Sequence, residues 1–484
     1  KPEFHKATFL KPLHTSAEFC GACHKVHLPV ELNDYRWLRG QNHYDSFLLS
    51  GVSGHGVSSF YYPPKAETNC NGCHMPRRAI PPGEAHRNLA ATWDETLDAL
   101  AATDHQFPSA NTAIPMLRKD AMRDWEGAVE AHQEFLEGVM RVDLFGLRED
   151  GRIDGPLIAA TETPVPRVQP GREYLLETVI RTVRMGHLFT QGTADSNEVW
   201  MEVIVRDGAG TVIGRSGGLD DDTLAVDPWS HFVNAFVIDR YGNRINRRNA
   251  QDIVVALYNN QIPPGAADTL HYRLRVPAHA DGPLTVTARL HYRKFDTEYM
   301  ALVHDDPTTP GIDPFANHLP ITTLAEDTML LVVGDDPPPA NVPEDEVPAW
   351  QRWNDYGIGL FRNGQYRQAE TAFRRVEALG RPDGPVNLAR VYLEEGRIAN
   401  DAPAALTRAR DFHLHHGPDA RANEWSVLWF SGLVNKQNGR LDEAIDAFRQ
   451  IIEGGFEQAK GRGFDFSKDY RLLAELADTL YLRA

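Results

Sequence analysis

Four cysteines and the two histidines beside them stand in a spacing that can hold a porphyrin covalently. They read Cys20-Gly21-Ala22-Cys23-His24 and Cys70-Asn71-Gly72-Cys73-His74, two copies of C-x-x-C-H. Two thiols three positions apart can each bond one vinyl group of a single porphyrin, and the adjoining histidine can lie beneath its iron. The motif therefore predicts haem c on Cys20 and Cys23 with His24 as one axial ligand, and a second haem c on Cys70 and Cys73 with His74. Other uses of the pairs weigh less. A thioredoxin-like dithiol needs a βαβ setting that neither segment shows, and has no use for a following histidine. A shared zinc site would have to bridge the 46 residues between Cys23 and Cys70, far beyond a zinc-ribbon gap. Disulfides closed within each pair would make very small loops. The chain has 4 cysteines in all, so none is left for a structural disulfide.

A six-coordinate iron needs a ligand on its other face. Of the 20 histidines, nine fall within the first 105 residues. Met75 directly follows His74 and cannot reach the opposite face, and Met116 is the other methionine nearby. Bis-histidine ligation is therefore expected, with lower potentials than His/Met. The candidate distal ligands are His55, His43, His105 and His27. His55 lies fifteen residues before Cys70. His43 is expected on a helical segment after Trp37, and His105 follows a helix-like run from Thr92 to Ala102. His27, three residues after His24, would point near its own haem's edge or toward a neighbour. For each, an ordinary surface or hydrogen-bonded histidine is the alternative. His5, His14 and His86 are weaker candidates. No residue is assigned a catalytic role.

These residues need elements to position them, and 484 residues predict about three domains. The reading is a mainly α haem-binding domain over 1–150, an antiparallel β-sandwich over 151–334, a Pro- and acid-rich linker over 335–349, and an α-helical tetratricopeptide solenoid over 350–484. Leu284–Arg293 alternates apolar and polar residues over ten positions, as a half-buried strand does. Further strands are expected at Tyr174–Arg184, Glu198–Val205, His231–Ile238, Ile253–Tyr258 and Leu270–Val276, separated by Gly-, Asn- and Pro-containing turns. In the last third, Trp353, Tyr356, Gly357, Leu360, Gly364, Ala369 and Phe373 fit the tetratricopeptide offsets, and Gly432, Gly439, Ala444 and Phe448 return in the same frame. The unit between them carries an insertion of about nine residues against the 34-residue period, and Asp469–Leu482 forms one more helix. Stacked units of this kind present a concave face for a partner, or brace other domains.

The segments Phe19–Pro29, Tyr35–Tyr62 and Asn69–Pro76 resemble bacterial multihaem c-type cytochromes, in particular the group related to the nitrifiers' tetrahaem cytochrome c. In that group a distal histidine precedes the next C-x-x-C-H on a helix, a place that His55 matches first and His43 second. The resemblance covers residues 1–115 and departs in haem number, since such proteins usually carry four or more haems and this chain has two motifs. No methionine or secretory segment precedes Lys1. The expectation is a mature or cleaved chain whose upstream part holds further haems, ligated by His5 and His14. Gly186-His187-Leu188-Phe189-Thr190-Gln191-Gly192 resembles a motif in the β domains of multihaem cytochromes, which implies that His187 lies near or on a haem. A loop histidine bonded to backbone is the alternative. Asp220-Asp221-Asp222 with Asp227 could offer oxygen ligands to Ca2+, although an acidic loop is more often simply solvated.

The function expected is electron transfer, with other redox proteins or cytochrome subunits as partners and homo- or hetero-oligomers possible. A multihaem redox enzyme acting on a small nitrogen or sulfur compound is an alternative; it would need an open iron position, and no C-x-x-C-K occurs. A structural subunit of a larger, even filamentous, cytochrome assembly is another. The formal charge of −17, from 50 Lys+Arg against 67 Asp+Glu, argues against nucleic-acid binding. No run approaches the roughly 20 apolar residues of a membrane span. Haem c is attached outside the cytoplasm, so a periplasmic or extracellular location follows.

Overall fold

The computed structural model describes residues 2–9, 11–33, 39–81, 83, 91–191, 194–280, 282–304, 315–338 and 346–484. Trp37, His86 and Gly192, together with the middle of the Pro-rich linker, lie outside the described residues, as does the side chain of His5.

The cysteine-bearing region is built from short helices. Each C-x-x-C-H sits at the end of one: Ala17–His24 closes on the first and Asn71–His74 on the second. The Asn69 carboxamide starts the second helix, accepting from the amides of Asn71 (2.9 Å) and Gly72 (3.3 Å). Arg39–Asn42 is a strand paired with Lys25–His27, and a helix then begins at His43 and runs to Leu48. Asn42 caps that helix by accepting from the Asp45 amide.

The Thr92–Ala102 run is not a helix. Thr92–Asp94 and Ala99–Thr103 are strands of a three-stranded antiparallel sheet completed by Arg77–Ala79. Its alanines favour a helix, but hydrogen bonds decide otherwise. Arg77 donates to Asp94 (2.7 Å), to the Thr92 hydroxyl and to the Ala101 carbonyl, while Asp94 accepts from the amides of Thr96 and Leu97 and turns the chain.

Two sheets form the middle of the chain. One has four strands in the order Ala267–Arg275, Glu173–Thr182, Met140–Glu149, Leu157–Ala159. The other has five, in the order Val212–Ser216, Glu198–Arg206, Leu284–Arg293, Ile321–Val333, Arg167–Val168. All neighbours are antiparallel except the last pair. Their inner faces share one core containing Leu144, Val179, Val203, Val286 and Leu331. Leu284–Arg293 keeps the alternation read from its sequence, buried at every second position up to Tyr292. The expected His231–Ile238 and Ile253–Tyr258 strands shorten to a hairpin of Ala235–Ile238 with Val255–Asn259. Asp220 is occupied as a turn residue, its carboxylate accepting from the amides of Asp222 and Thr223 and from the Thr223 hydroxyl.

Beyond the linker come seven helices: Ala349–Arg362, Tyr366–Ala378, Asp383–Glu394, Asp401–His416, Glu424–Gln437, Leu441–Glu453 and Tyr470–Arg483. Two glycines explain how paired helices approach. A Cβ on Gly357 would lie 2.7 Å from the Phe373 ring, and one on Gly432 2.4 Å from the Phe448 ring.

The first of these helices is bound to the four-stranded sheet by buried charge pairs. Arg352 forks onto Asp143 (2.7 and 3.0 Å), Asp355 accepts from Arg181 (2.8 Å) and from Arg141, and Arg148 joins Glu177 (2.8 Å) to the Tyr356 hydroxyl (2.8 Å). Contact is close enough that a Cβ on Gly359 would stand 2.1 Å from Thr269 Oγ1 and 2.6 Å from its backbone nitrogen. Gly359→Ala is therefore expected to force the helix off the sheet and cost about 1–3 kcal/mol, the usual range for overpacking. A lowered midpoint in thermal or chemical denaturation checks it; an unchanged midpoint would mean that the contact is slack.

The helical region also grips the stretch that connects the two C-x-x-C-H segments. Tyr62 packs against Trp425 with ring centroids 5.2 Å apart, and Arg390 lies between the rings of Phe60 (4.1 Å) and Phe430 (4.6 Å). Arg390 donates to the carbonyls of Ser58 and Ser59, Arg462 to that of Pro63, and Arg471 to that of Leu49. The Asp469 carboxylate accepts from the Val57 amide (2.9 Å). Among the described residues no helix is long and apolar enough to cross a membrane.

Candidate haem-binding site

The ends of the two short cysteine helices meet at one cavity of about 470 Å³. Cys20, Cys70 and Cys73 line it, with His24, His43, His74 and His187. No two of the four cysteines are joined as a disulfide. Burial, and then the adjacent Cys20, push the Cys70 thiol up to about 12, so the two attachment segments lie side by side.

Four imidazoles converge there. His24 and His43 have ring centroids 5.2 Å apart, His43 and His187 4.8 Å, and His74 and His187 6.1 Å with nearly parallel planes. They arrive from distant parts of the chain. His24 and His74 close the C-x-x-C-H helices and His43 opens the helix capped by Asn42. His187 lies in the loop after the Glu173–Thr182 strand. That loop is pinned to the His43 helix, because the Leu188 amide donates to the Ser46 hydroxyl (3.3 Å) and Gly186 lies so close that a Cβ there would stand 3.3 Å from the Phe47 ring.

Hydrogen bonds fix two of the ring tautomers. A carbonyl can only accept, so His74 donates Nδ1–H to Pro108 (2.9 Å) and His187 donates Nδ1–H to Leu188 (2.9 Å). In both rings the Nε2 lone pair is left for an iron, the arrangement in which an outer partner orients a metal-binding histidine. His43 Nδ1 is buried without a hydrogen-bond partner. Burial, and then the charges of His187, His24 and His74, push His43 down to about 2, and burial takes His187 to about 4. Four imidazoles so placed can each offer a ring nitrogen to a metal.

Phe47, Val52, Phe107, Phe135, Leu136 and Phe189 make much of the remaining wall apolar, and Gln41, Asn111, Asn197, Arg184 and Lys294 add polar groups to it. Paired thiols, converging imidazoles and an apolar wall fit haem c. Among the described residues no group of three or more His, Cys, Asp or Glu side chains is arranged to hold a bare metal ion.

The other expected ligands lie elsewhere. His55 is buried but turned toward the helical region, with Nδ1 2.5 Å from the Asp465 carbonyl. His105 is exposed and bonded to the Thr103 carbonyl (3.1 Å). His27 lies on the Lys25–His27 strand with its side chain exposed. His14 is exposed on a 3-10 turn, its ring against Phe19. Lys294 is a wall residue that the sequence did not single out. Burial, followed by the nearby Arg248 guanidinium, pushes its ammonium down to about 8.

No family model matches the chain, and no curated protein matches it. Among solved structures, a penta-heme cytochrome c552 from Thermochromatium tepidum is similar over 65% of this chain and 56% of that one, with 14% identity and a TM-score of 0.35. The chain thus spans a little over half the length of that protein. At this level of similarity the site itself carries the functional reading.

Proposed function

We propose that the chain is a c-type cytochrome that transfers single electrons through two covalently held haems, each with histidine on both faces. The observation that carries this reading is the gathering of two C-x-x-C-H segments and two further histidines, His43 and His187, around one apolar cavity. When bound, haem c supplies a one-electron Fe(III)/Fe(II) couple. Cys20 and Cys23, and Cys70 and Cys73, would hold the two porphyrins, and His24, His43, His74 and His187 would serve as the iron ligands. Pro108 and Leu188 hold two of those rings in orientation through their Nδ1–H groups. Phe47, Val52, Phe135 and Phe189 keep water from the irons, which leaves transfer of electrons rather than binding of a substrate as the chemistry available. His55, His105 and His27 take structural or surface roles in this reading.

The helical region is read as a tetratricopeptide array. Its grip on residues 49–66 ties the segment between the haem sites to the sandwich that carries His187. Other redox proteins or cytochrome subunits would then dock on surfaces that this segment does not cover. Attachment of haem c implies a periplasmic or extracellular setting.

Electron paramagnetic resonance of the oxidised protein tests the ligand set. Low-spin signals alone are expected, and a high-spin ferric signal would overturn six-coordination by histidine. His43→Met should raise the midpoint potential of one haem and leave the other near its original value, because methionine ligation raises potential. Axial ligands command a range of about 0.8 V, so the change should be plain in a spectropotentiometric titration. Unmoved potentials in both His43→Met and His187→Met would remove these two residues from the irons.

A further inference from the structure

We propose that Lys294 is the counter-charge of a haem propionate in this cavity. The inference rests on the haem reading above and adds a residue to it. Its basis is the charge of the wall. Among the described residues lining the cavity there is no aspartate or glutamate, while Lys294 and Arg184 both face it. Arg184 is engaged already, donating to the Glu137 carbonyl (2.5 Å). Lys294 has no carboxylate within ion-pairing distance among the described residues, and its charged neighbour is the guanidinium of Arg248, a like charge.

The adjacent residue shows what a satisfied cation looks like in this strand. Arg293 is fully buried, pairs with Glu198 (2.6 Å), and donates to the carbonyls of Leu224 and Asn317. The strand ends at Arg293, which turns to its acid, and Lys294, the bend residue that follows, lines the cavity instead. A buried ammonium in a wall that carries a second cation and no carboxylate is costly unless an anion joins it. Each haem brings carboxylates of its own, and Lys294 is the residue placed to receive one. A nearby positive charge favours the reduced iron, so Lys294 would raise the potential of that haem.

The test compares wild type, Lys294→Met and Lys294→Arg, all matured with haem, by spectropotentiometric titration and redox-difference infrared spectroscopy. The methionine variant should shift one Fe(III)/Fe(II) equilibrium about tenfold toward Fe(III), or about 59 mV for one electron, and should alter a propionate carboxylate band. The arginine variant should restore both. A shifted potential with unchanged carboxylate bands would reduce Lys294 to a remote charge and overturn the pairing. So would a wild-type potential that moves on adding inorganic phosphate, which would mean that a free anion is the partner. Unmoved potentials with two haems bound would sink this inference alone, whereas a wild-type chain without haem would sink the function it rests on.

Discussion

A chain in which Cys70 and Cys73 are both replaced by serine is expected to mature with one covalent haem instead of two. A thioether needs a sulfur, and the only remaining thiols, Cys20 and Cys23, belong to the other attachment segment. The substituted segment keeps its helix, since Asn69 still caps the amides of Asn71 and Gly72, so the loss should be local. Because both segments open on the same cavity, the remaining haem should lose its neighbour and its potential should move. Intact mass before and after, with haem-stained electrophoresis, reads the count. Two haems retained in the double variant would mean that Cys70 and Cys73 do something else.

Asp355→Ala is expected to cost about 3–5 kcal/mol, the range for removing one partner of a buried charge pair. Asp355 is 1% exposed and accepts from both Arg181 and Arg141, so alanine leaves two guanidiniums facing each other at the contact between the first long helix and the sheet. The Arg352–Asp143 pair and the Arg148–Tyr356 hydrogen bond remain on either side. They should hold the helix near its place while the whole interface weakens. Adding Arg181→Met should recover part of the loss, because it removes one of the stranded charges. Chemical denaturation of the single and double variants measures this. A single variant as stable as wild type would show that the helical region and the sandwich do not depend on that contact. If the helical region does hold the segment between the haem sites, the same variant should also slow haem maturation.

How far the sequence led depends on whether the determining interactions were local. The attachment spacing is a matter of four consecutive positions, so it is legible without any fold. Leu284–Arg293 is legible because one face is wet and the other dry, and alternation survives in the residue types. Met140–Glu149 is buried almost throughout, leaving no such pattern, and it falls before residue 151, where the sandwich was expected to start. The Gly357 and Phe373 offset pointed to the helix pair because close approach demands that combination.

Ranking the histidines was beyond the local pattern. His55 has the spacing expected of a ligand, yet its ring meets the carbonyl of Asp465, 410 residues further on, and no property of its neighbours reports that. His187 reaches the cavity because a sandwich loop is pinned by Ser46 and shaped around Phe47, again across the chain. The one signal for it was the Gly186-His187 motif itself. Lys294 gave no signal at all, since an ammonium just past a strand looks like any surface lysine until the acid-free wall around it is seen.

The most direct test of the account is the number of haems per chain, from a pyridine haemochrome assay and intact mass on protein matured in a host that attaches haem c. Two covalent haems per chain, with no thiol left to react with an alkylating probe, is the predicted result. Four reactive thiols without haem, or thiols occupied by zinc or joined as disulfides, would contradict it.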